Sequence, residues 1–367
     1  MEKVCVRDVL AFLNEVAPFS LQEDYDNSGL LVGNRDEVVT GILVTLDCVE
    51  SVIDEAIQHG ANVIVAHHPI LFKPLKSITS SNYVERTILK AIREGISIIA
   101  IHTNLDNDKN GINKLISNQL LLNNCRVLAP VKGKLMKLVT FVPDSHAGEV
   151  LDALHRSGAG KIGNYSECSF GVTGTGTFRP NEIAKPYVGS NQELEQTEET
   201  RLEVLLPTYL KEQVLSALFG HHPYEEVAYY LTELDNVNQD AGAGMIGQLP
   251  EAMKSDEFLS YVKSKLNTRL IRHTAKINRT IQTVAVCGGS GSFLLKNAIA
   301  AGADAFISAD FKYHEFFDAD GRILIADVGH HESECFMKAH ISGLLNKKFT
   351  TFASVFSKID TNPISYF

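Results

Sequence analysis

The sequence predicts an α/β fold of mostly parallel sheets with flanking helices, plus an inserted ferredoxin-like α+β domain. Three observations predict it. Short apolar runs such as GILVTL (Gly41–Leu46), VIVA (Val63–Ala66) and ISIIAI (Ile96–Ile101) alternate with amphipathic segments. That is the pattern of strands buried on both faces and joined by helices. Near Leu128 the style changes to alternating strands in the order strand–helix–strand–strand–helix–strand, a split βαβ pattern. From Met245 the buried-strand style resumes. The expected division is an α/β body in two parts, residues 1–127 and 238–367, around an insert at 128–237.

Taken in order, Val6–Ala17 has apolar residues at helical spacing and stops before Pro18. Asp26-Asn27-Ser28-Gly29 is turn chemistry leading into a short apolar segment; a surface loop is the favoured reading, a loop folded over a site the alternative. Helices are expected at Val49–His59 and Tyr83–Glu94, closed by Gly60 and Gly95, and at Asn113–Leu122. In the insert, strands are expected at Lys134–Val142, Ser169–Phe178, Arg201–Leu206 and Val227–Leu234, with helices at His146–Ser157 and Tyr209–Phe219. The acidic stretch Asn191–Thr200 lacks periodicity and reads as a mobile loop. After it come a helix at Phe258–Leu266, strands at Thr283–Val286, Ala305–Ser308 and Arg322–Ala326, a short helix at Tyr313–Ala319 and one helix over His331–Leu345.

Composition narrows the function. The chain has 367 residues, 44% hydrophobic and 21% charged, with no apolar run of membrane-spanning length and no signal peptide; the cytoplasm is the expected location. The six cysteines are scattered without a C-x-x-C pair, so buried free thiols are expected rather than disulfides or a thiolate site. A net charge of −10 disfavours a nucleic-acid partner. Histidine is the informative residue, with pairs at His67/His68, His221/His222 and His330/His331.

Three strand ends carry metal-ligand chemistry: His67 and His68 after VIVA, His102 and Asp106 after ISIIAI, and His330 to Glu334 after RILIADVG. Open α/β sheets hold ligands beyond the carboxyl ends of their strands. If a helix begins by His330, Glu334 lies one turn on, on the same face. Imidazole with carboxylate and no thiolate suits zinc, manganese, iron or cobalt, and bridging carboxylates suggest two ions. Each element has a plainer reading. A lone strand-end histidine is more often a hydrogen-bonded core or surface residue, and Asp106 has a rival role as the N-cap of the next helix. The Cys287–Ser292 loop, CGGSGS, either presents Gly288, Gly289, Ser290 and Gly291 to a phosphate or allows close packing. Asp310, Tyr313, His314 and Glu315 lie near the same edge, His314 being the preferred proton carrier and Asp310 and Tyr313 candidate substrate contacts. His221-His222-Pro223 in the insert reads as a turn, with a small separate site as the alternative.

VIVAHHPI, HTNLD, CGGSGS, SADFKYHEFFDA and DVGHHESE occur in this order, and with DNSGLLVG near the start the chain resembles the Nif-three-like family, often labelled GTP cyclohydrolase 1 type 2 homologs. GAGKIGNYSECSF, GTGTF and HHPYEEVAYY resemble the PII/CutA-like domain of its longer bacterial members. The resemblance implies two divalent ions (zinc, iron or manganese) held by His67, His68, Asp106, His330 and Glu334, with Glu334 and Asp106 bridging and His102 close by. It also implies a toroidal homohexamer with the sites facing its cavity. The expected function is a hydrolase that uses metal-activated water on a nucleotide or related small molecule. His102 and His314 are its expected catalytic histidines. The alternative is a metal-binding hexameric scaffold or regulator that works through protein interactions, with the PII-like domain as sensor.

Overall fold

Four strands apolar on both faces set the first half of the chain. The structure, a computed structural model, describes residues 3–367. It begins with α1 (Val6–Val16), β1 (Gly29–Val32), β2 (Ile42–Thr45), α2 (Glu50–Gln58), β3 (Val63–Ala66), α3 (Tyr83–Arg93) and β4 (Ser97–Ala100). Then come α4 (Thr103–Asp106), α5 (Ile112–Gln119) and β5 (Asn123–Val131). Next in the chain are β6 (Leu135–Pro143), α6 (Asp144–Arg156), β7 (Ser169–Phe178), β8 (Glu195–Pro207), α7 (Lys211–His221) and β9 (Tyr229–Leu234). The last part has β10 (Asn238–Met253), α8 (Ser255–Lys265), β11 (Arg272–His273), β12 (Ile281–Ser290), α9 (Leu295–Ala300) and β13 (Ala305–Ala309). A 3-10 helix at Tyr313–Ala319, β14 (Leu324–Asp327), α10 (His330–Glu334), α11 (Met337–Lys348) and β15 (Ser354–Phe356) complete it.

The chain divides into two compact units, Met1–Ala129 with Ala241–Phe367, and Pro130–Asp240. The first contains two sheets. One runs β1-β4-β3-β2-β15, the other β11-β14-β13-β12-β10-β5. In the first sheet β15, β2, β3 and β4 are parallel and only the β1 edge is antiparallel. In the second sheet β12, β13 and β14 are parallel, whereas β10 and β11 pair antiparallel. The expectation of mostly parallel sheets therefore holds for the first and is corrected for the second, which is mixed.

Period-2 alternation explains the core. Val44, Val65 and Ile99 face inward to one cluster with Val284, Val286 and Ile307 of the other sheet and with α1, α5, α8 and α11. Leu43, Ile64 and Ile98 point the other way, onto Val52, Ile53 and Ile88 of α2 and α3. Each such aliphatic side chain contributes about 1.5–3 kcal/mol of burial. Parallel strands bring their carboxyl ends to one edge, so the residues that follow β2, β3, β4 and β14 converge.

The second unit has the sheet order β7-β8-β6-β9, antiparallel throughout, with α6 and α7 buried on it through Val150, Leu154, Val214 and Leu218. The short apolar segment after the Asp26–Gly29 turn is a strand, Gly29–Val32, paired with β4. Two further expectations change. Glu195–Thr200 belongs to β8, held in register against Thr173–Phe178, because backbone pairing with β7 holds the stretch extended even though its side chains are polar. The helix expected over His331–Leu345 is two, separated at Cys335 and Phe336. No helix among the described residues is long and apolar enough to cross a membrane.

Candidate metal centre

His67 shows what the convergence is for. Its ring is fully buried, and its Nδ1–H donates to the Ile101 carbonyl at 2.8 Å. That leaves Nε2 as a bare lone pair. It faces Asp106 Oδ1 at 3.5 Å and Glu334 Oε1 at 3.8 Å. Neither His67 Nε2 nor Asp106 Oδ1 has a hydrogen-bond partner, although both atoms are buried. These two buried atoms face each other without a hydrogen bond, and a cation between them would satisfy both.

A second group lies alongside. His68 Nε2 and His330 Nε2 are 3.3 Å apart, and Glu334 Oε2 lies 3.0 Å from the first and 3.1 Å from the second. Atoms bound to one tetrahedral ion at 2.0–2.1 Å stand about 3.4 Å apart, so the His68, His330 and Glu334 group fits a small divalent cation. His68, His330 and Glu334 could hold one, as could His67, His68 and His102. Glu334, only 3% exposed, turns one oxygen toward each group.

The elements explain the aim. β3 ends at Ala66 and the chain turns at His67-His68-Pro69, so both histidines leave the sheet at its edge. α10 starts at His330 after Gly329 (φ +94°), which places Glu334 one turn on. Asp106 is the last residue of α4, and Gly111 precedes α5, so the N-cap reading of Asp106 is wrong.

Every histidine is held from behind. Asp47 accepts from His68 Nδ1, Asp310 from His330 Nδ1 and Asp26 from His102 Nδ1, each at 2.7 Å. Carboxylates in this position fix the tautomer and turn Nε2 toward the ligand. Asp47 in turn accepts from Thr361 Oγ1 at 2.7 Å. Asp26 also accepts from Thr103 N, and its side chain is fully buried. The Asp26–Gly29 turn therefore folds over the site, which corrects the surface-loop reading. Asp26 and Asp47 were missed from sequence. The available signal was an aspartate at the end of the strand next to VIVA.

Charge follows this geometry. Burial lowers His67, leaving it neutral. Burial opposes charge on His68 and His330 too, but Asp47 and Glu334 raise the first to about 9, and Asp310 and Glu334 raise the second to about 11. Asp106 is pushed well above the carboxylate range by burial and then by Glu334. Glu334 lies well below it, because contacts with His330, His67 and His68 outweigh its burial. The Cys287 thiol is pushed up by burial, then by Asp106 and Glu334, and stays protonated.

The cavity in front has about 370 Å³ and is lined by Tyr25, Phe72, His102, Asn113, Gly288, Ser290 and Phe293 beside the ligand set. The other expected residues divide. Gly289 (φ +60°) passes so close to Glu334 that a Cβ would lie 2.4 Å from Oε1, and a Cβ on Gly291 would lie 2.4 Å from Ser308 Oγ. The Gly288 amide donates to Asn113 and the Gly289 amide to Ser333, so neither is free for a phosphate, and close packing accounts for the glycines. Asp310 orients His330 rather than facing a substrate. Tyr313 and His314 are exposed, pack with Phe317 and do not line the cavity. In the second unit, His222 donates to the Phe141 carbonyl and accepts from Tyr224 N, which is the turn reading.

Residues 4–363 match the Duf34/NIF3 (NGG1p interacting factor 3) family. A protein of Halalkalibacterium halodurans described as a GTP cyclohydrolase 1 type 2 homolog is 40% identical over 364 residues, covering 98% of both chains. A Bacillus subtilis protein of the same description is 36% identical over 367 residues, 98% of both chains. The crystal structure of a Bacillus cereus protein related to NIF3 superposes with TM-score 0.89 at 37% identity, covering all of both chains. By sequence and by fold, this chain belongs to the Duf34/NIF3 family.

Proposed function

We propose that the cavity is a dinuclear metal centre and that the protein is a metal-dependent hydrolase acting in the cytoplasm on a nucleotide or related small molecule. The observation that carries this is Glu334, whose two oxygens each face a separate set of ligand atoms. His67 and Asp106 with Oε1 would hold one divalent ion, and His68 and His330 with Oε2 the other. Such ions, of zinc, iron or manganese, lower the pKa of bound water to about 7 and so supply a nucleophile at neutral pH.

The chain's own residues do the rest. Asp47 and Asp310 hold His68 and His330 in the ligating tautomer, and the Ile101 carbonyl does the same for His67. His102, fixed by Asp26 and with its ring 5.2 Å from that of His67, is the proton carrier. Tyr25, Phe72 and Phe293 offer flat faces to a heterocycle. No lysine or arginine lines the cavity among the described residues, so an anionic group would fall to the ions. The second unit's strand order supports a ferredoxin-like, PII/CutA-like insert at 128–237. Exposed Phe293, Tyr313 and Phe317 support burial of this face in a homohexamer.

The test is turnover of GTP and a panel of phosphoesters by metal-loaded protein. The reading expects hydrolysis that falls at least 100-fold in Glu334→Gln and in His67→Ala. Loaded protein that turns over none of them, with the variants indistinguishable from wild type, would replace the hydrolase with a metal-binding scaffold.

A further inference from the structure

The second unit has a cavity of its own, of about 370 Å³, unrelated to the histidine cluster. Three aromatic rings wall it. The Tyr224 ring lies 6.3 Å from Phe178 and 6.1 Å from Tyr187, with planes inclined at 52° and 45°. Behind them sits Glu199, 9% exposed, whose Oε1 accepts from the Tyr224 hydroxyl at 2.8 Å. No lysine or arginine pairs with Glu199 among the described residues. A buried carboxylate satisfied by one neutral donor lacks its counter-charge.

The wall is built rather than incidental. The connection between β7 and β8, residues 179–194, closes on itself: Gln192 N donates to the Pro180 carbonyl at 2.7 Å and Arg179 Nη1 to the Gln192 carbonyl at 2.6 Å. Lys185 N ties it to Glu225 Oε1 at 2.6 Å. Tyr187, half exposed at 52%, is thereby held at the cavity mouth. Glu225 and Glu226 add negative charge to the lining, and the one basic side chain there, Arg179, is occupied with the loop. An anion would meet three carboxylates. A neutral ligand would leave Glu199 unpaired. A cation satisfies both the carboxylate and the ring faces, which attract positive charge.

We propose that this cavity binds a small organic cation, an amine or quaternary ammonium compound, seated on Phe178, Tyr187 and Tyr224 with its charge toward Glu199. The volume falls within the range of small-molecule sites. The site is separate from the metal centre and does not depend on its function.

Isothermal titration of the full chain tests it with choline and butylammonium as probes. The neutral isostere of choline, 3,3-dimethylbutan-1-ol, is the control. Expected is saturable binding of at least one cation, with the isostere weaker by about tenfold or more. Tyr187→Ala should abolish binding, Tyr187→Phe should keep it, and Glu199→Gln should weaken it about tenfold. Thermal unfolding shows whether each variant folds; should Glu199→Gln not fold, the cation-against-isostere comparison on wild type decides. No saturable binding of either cation, equal binding of the isostere, or undiminished binding by folded Tyr187→Ala would overturn the proposal.

Discussion

At the scale of single residues, His67, His68 and His330 differ in what holds them, and this sets their behaviour toward protons. His67 is neutral because it is buried and its Nδ1–H is spent on a carbonyl. His68 and His330, raised to about 9 and about 11, carry a proton at neutral pH in the metal-free protein. An ion needs bare nitrogens, so it must displace these protons. Metal affinity should therefore rise as pH rises from 6 to 8, by about tenfold per unit for each proton displaced, with proton release measurable by titration in two buffers. Affinity that is flat or falls over this range would contradict the assignment. Asp47→Asn removes the charge behind His68 and should weaken metal binding about 10- to 100-fold with the fold retained. The candidate ligands were legible in sequence because three separate clusters of ligand-type residues, at His67/His68, His102/Asp106 and His330/Glu334, each follow an apolar strand. Asp26 was not, because its turn looks the same whether it lies in solvent or closes over a site, and only the path of the chain distinguishes them.

At the scale of elements, β12 is the informative one. It ends in a loop whose glycines look like a phosphate cradle in sequence, yet its backbone amides are spent on Asn113 and Ser333 and its glycines allow contact with Glu334. Gly289→Ala puts a methyl group against Oε1 and should remove most metal binding. Gly302→Ala is the control: its φ is similarly positive at +77°, but a Cβ there meets nothing within 4 Å. It should cost about 1–2 kcal/mol of stability, from the left-handed backbone alone, and leave metal binding intact. Equal metal binding in the two variants would mean that the approach of β12 to Glu334 is unimportant. The apolar strands β2, β3, β4, β13 and β14 were readable to within two residues, since burial on both faces leaves little choice of sequence, whereas β12 runs four residues past the Val286 end expected for it, into the glycines. β8 and the break between α10 and α11 were not. A polar strand edge depends on its partner, and the break at Cys335–Phe336 interrupts no visible pattern.

At the scale of the whole molecule, residues 262 positions apart, His68 and His330, meet at 3.3 Å. Sequence shows that each lies beyond a strand. It does not show that two different sheets, β3 in one and β14 in the other, present their carboxyl ends to one cavity. That juxtaposition turns scattered ligand-type residues into two groups sharing one glutamate, and it is the central claim. Elemental analysis of protein purified without chelators, as wild type and as the His330→Ala/Glu334→Ala variant, tests it most directly. The account predicts close to two divalent ions per wild-type chain and their loss in the variant. No stoichiometric metal, even after reconstitution with zinc, manganese and iron, or full retention in the variant, would contradict it.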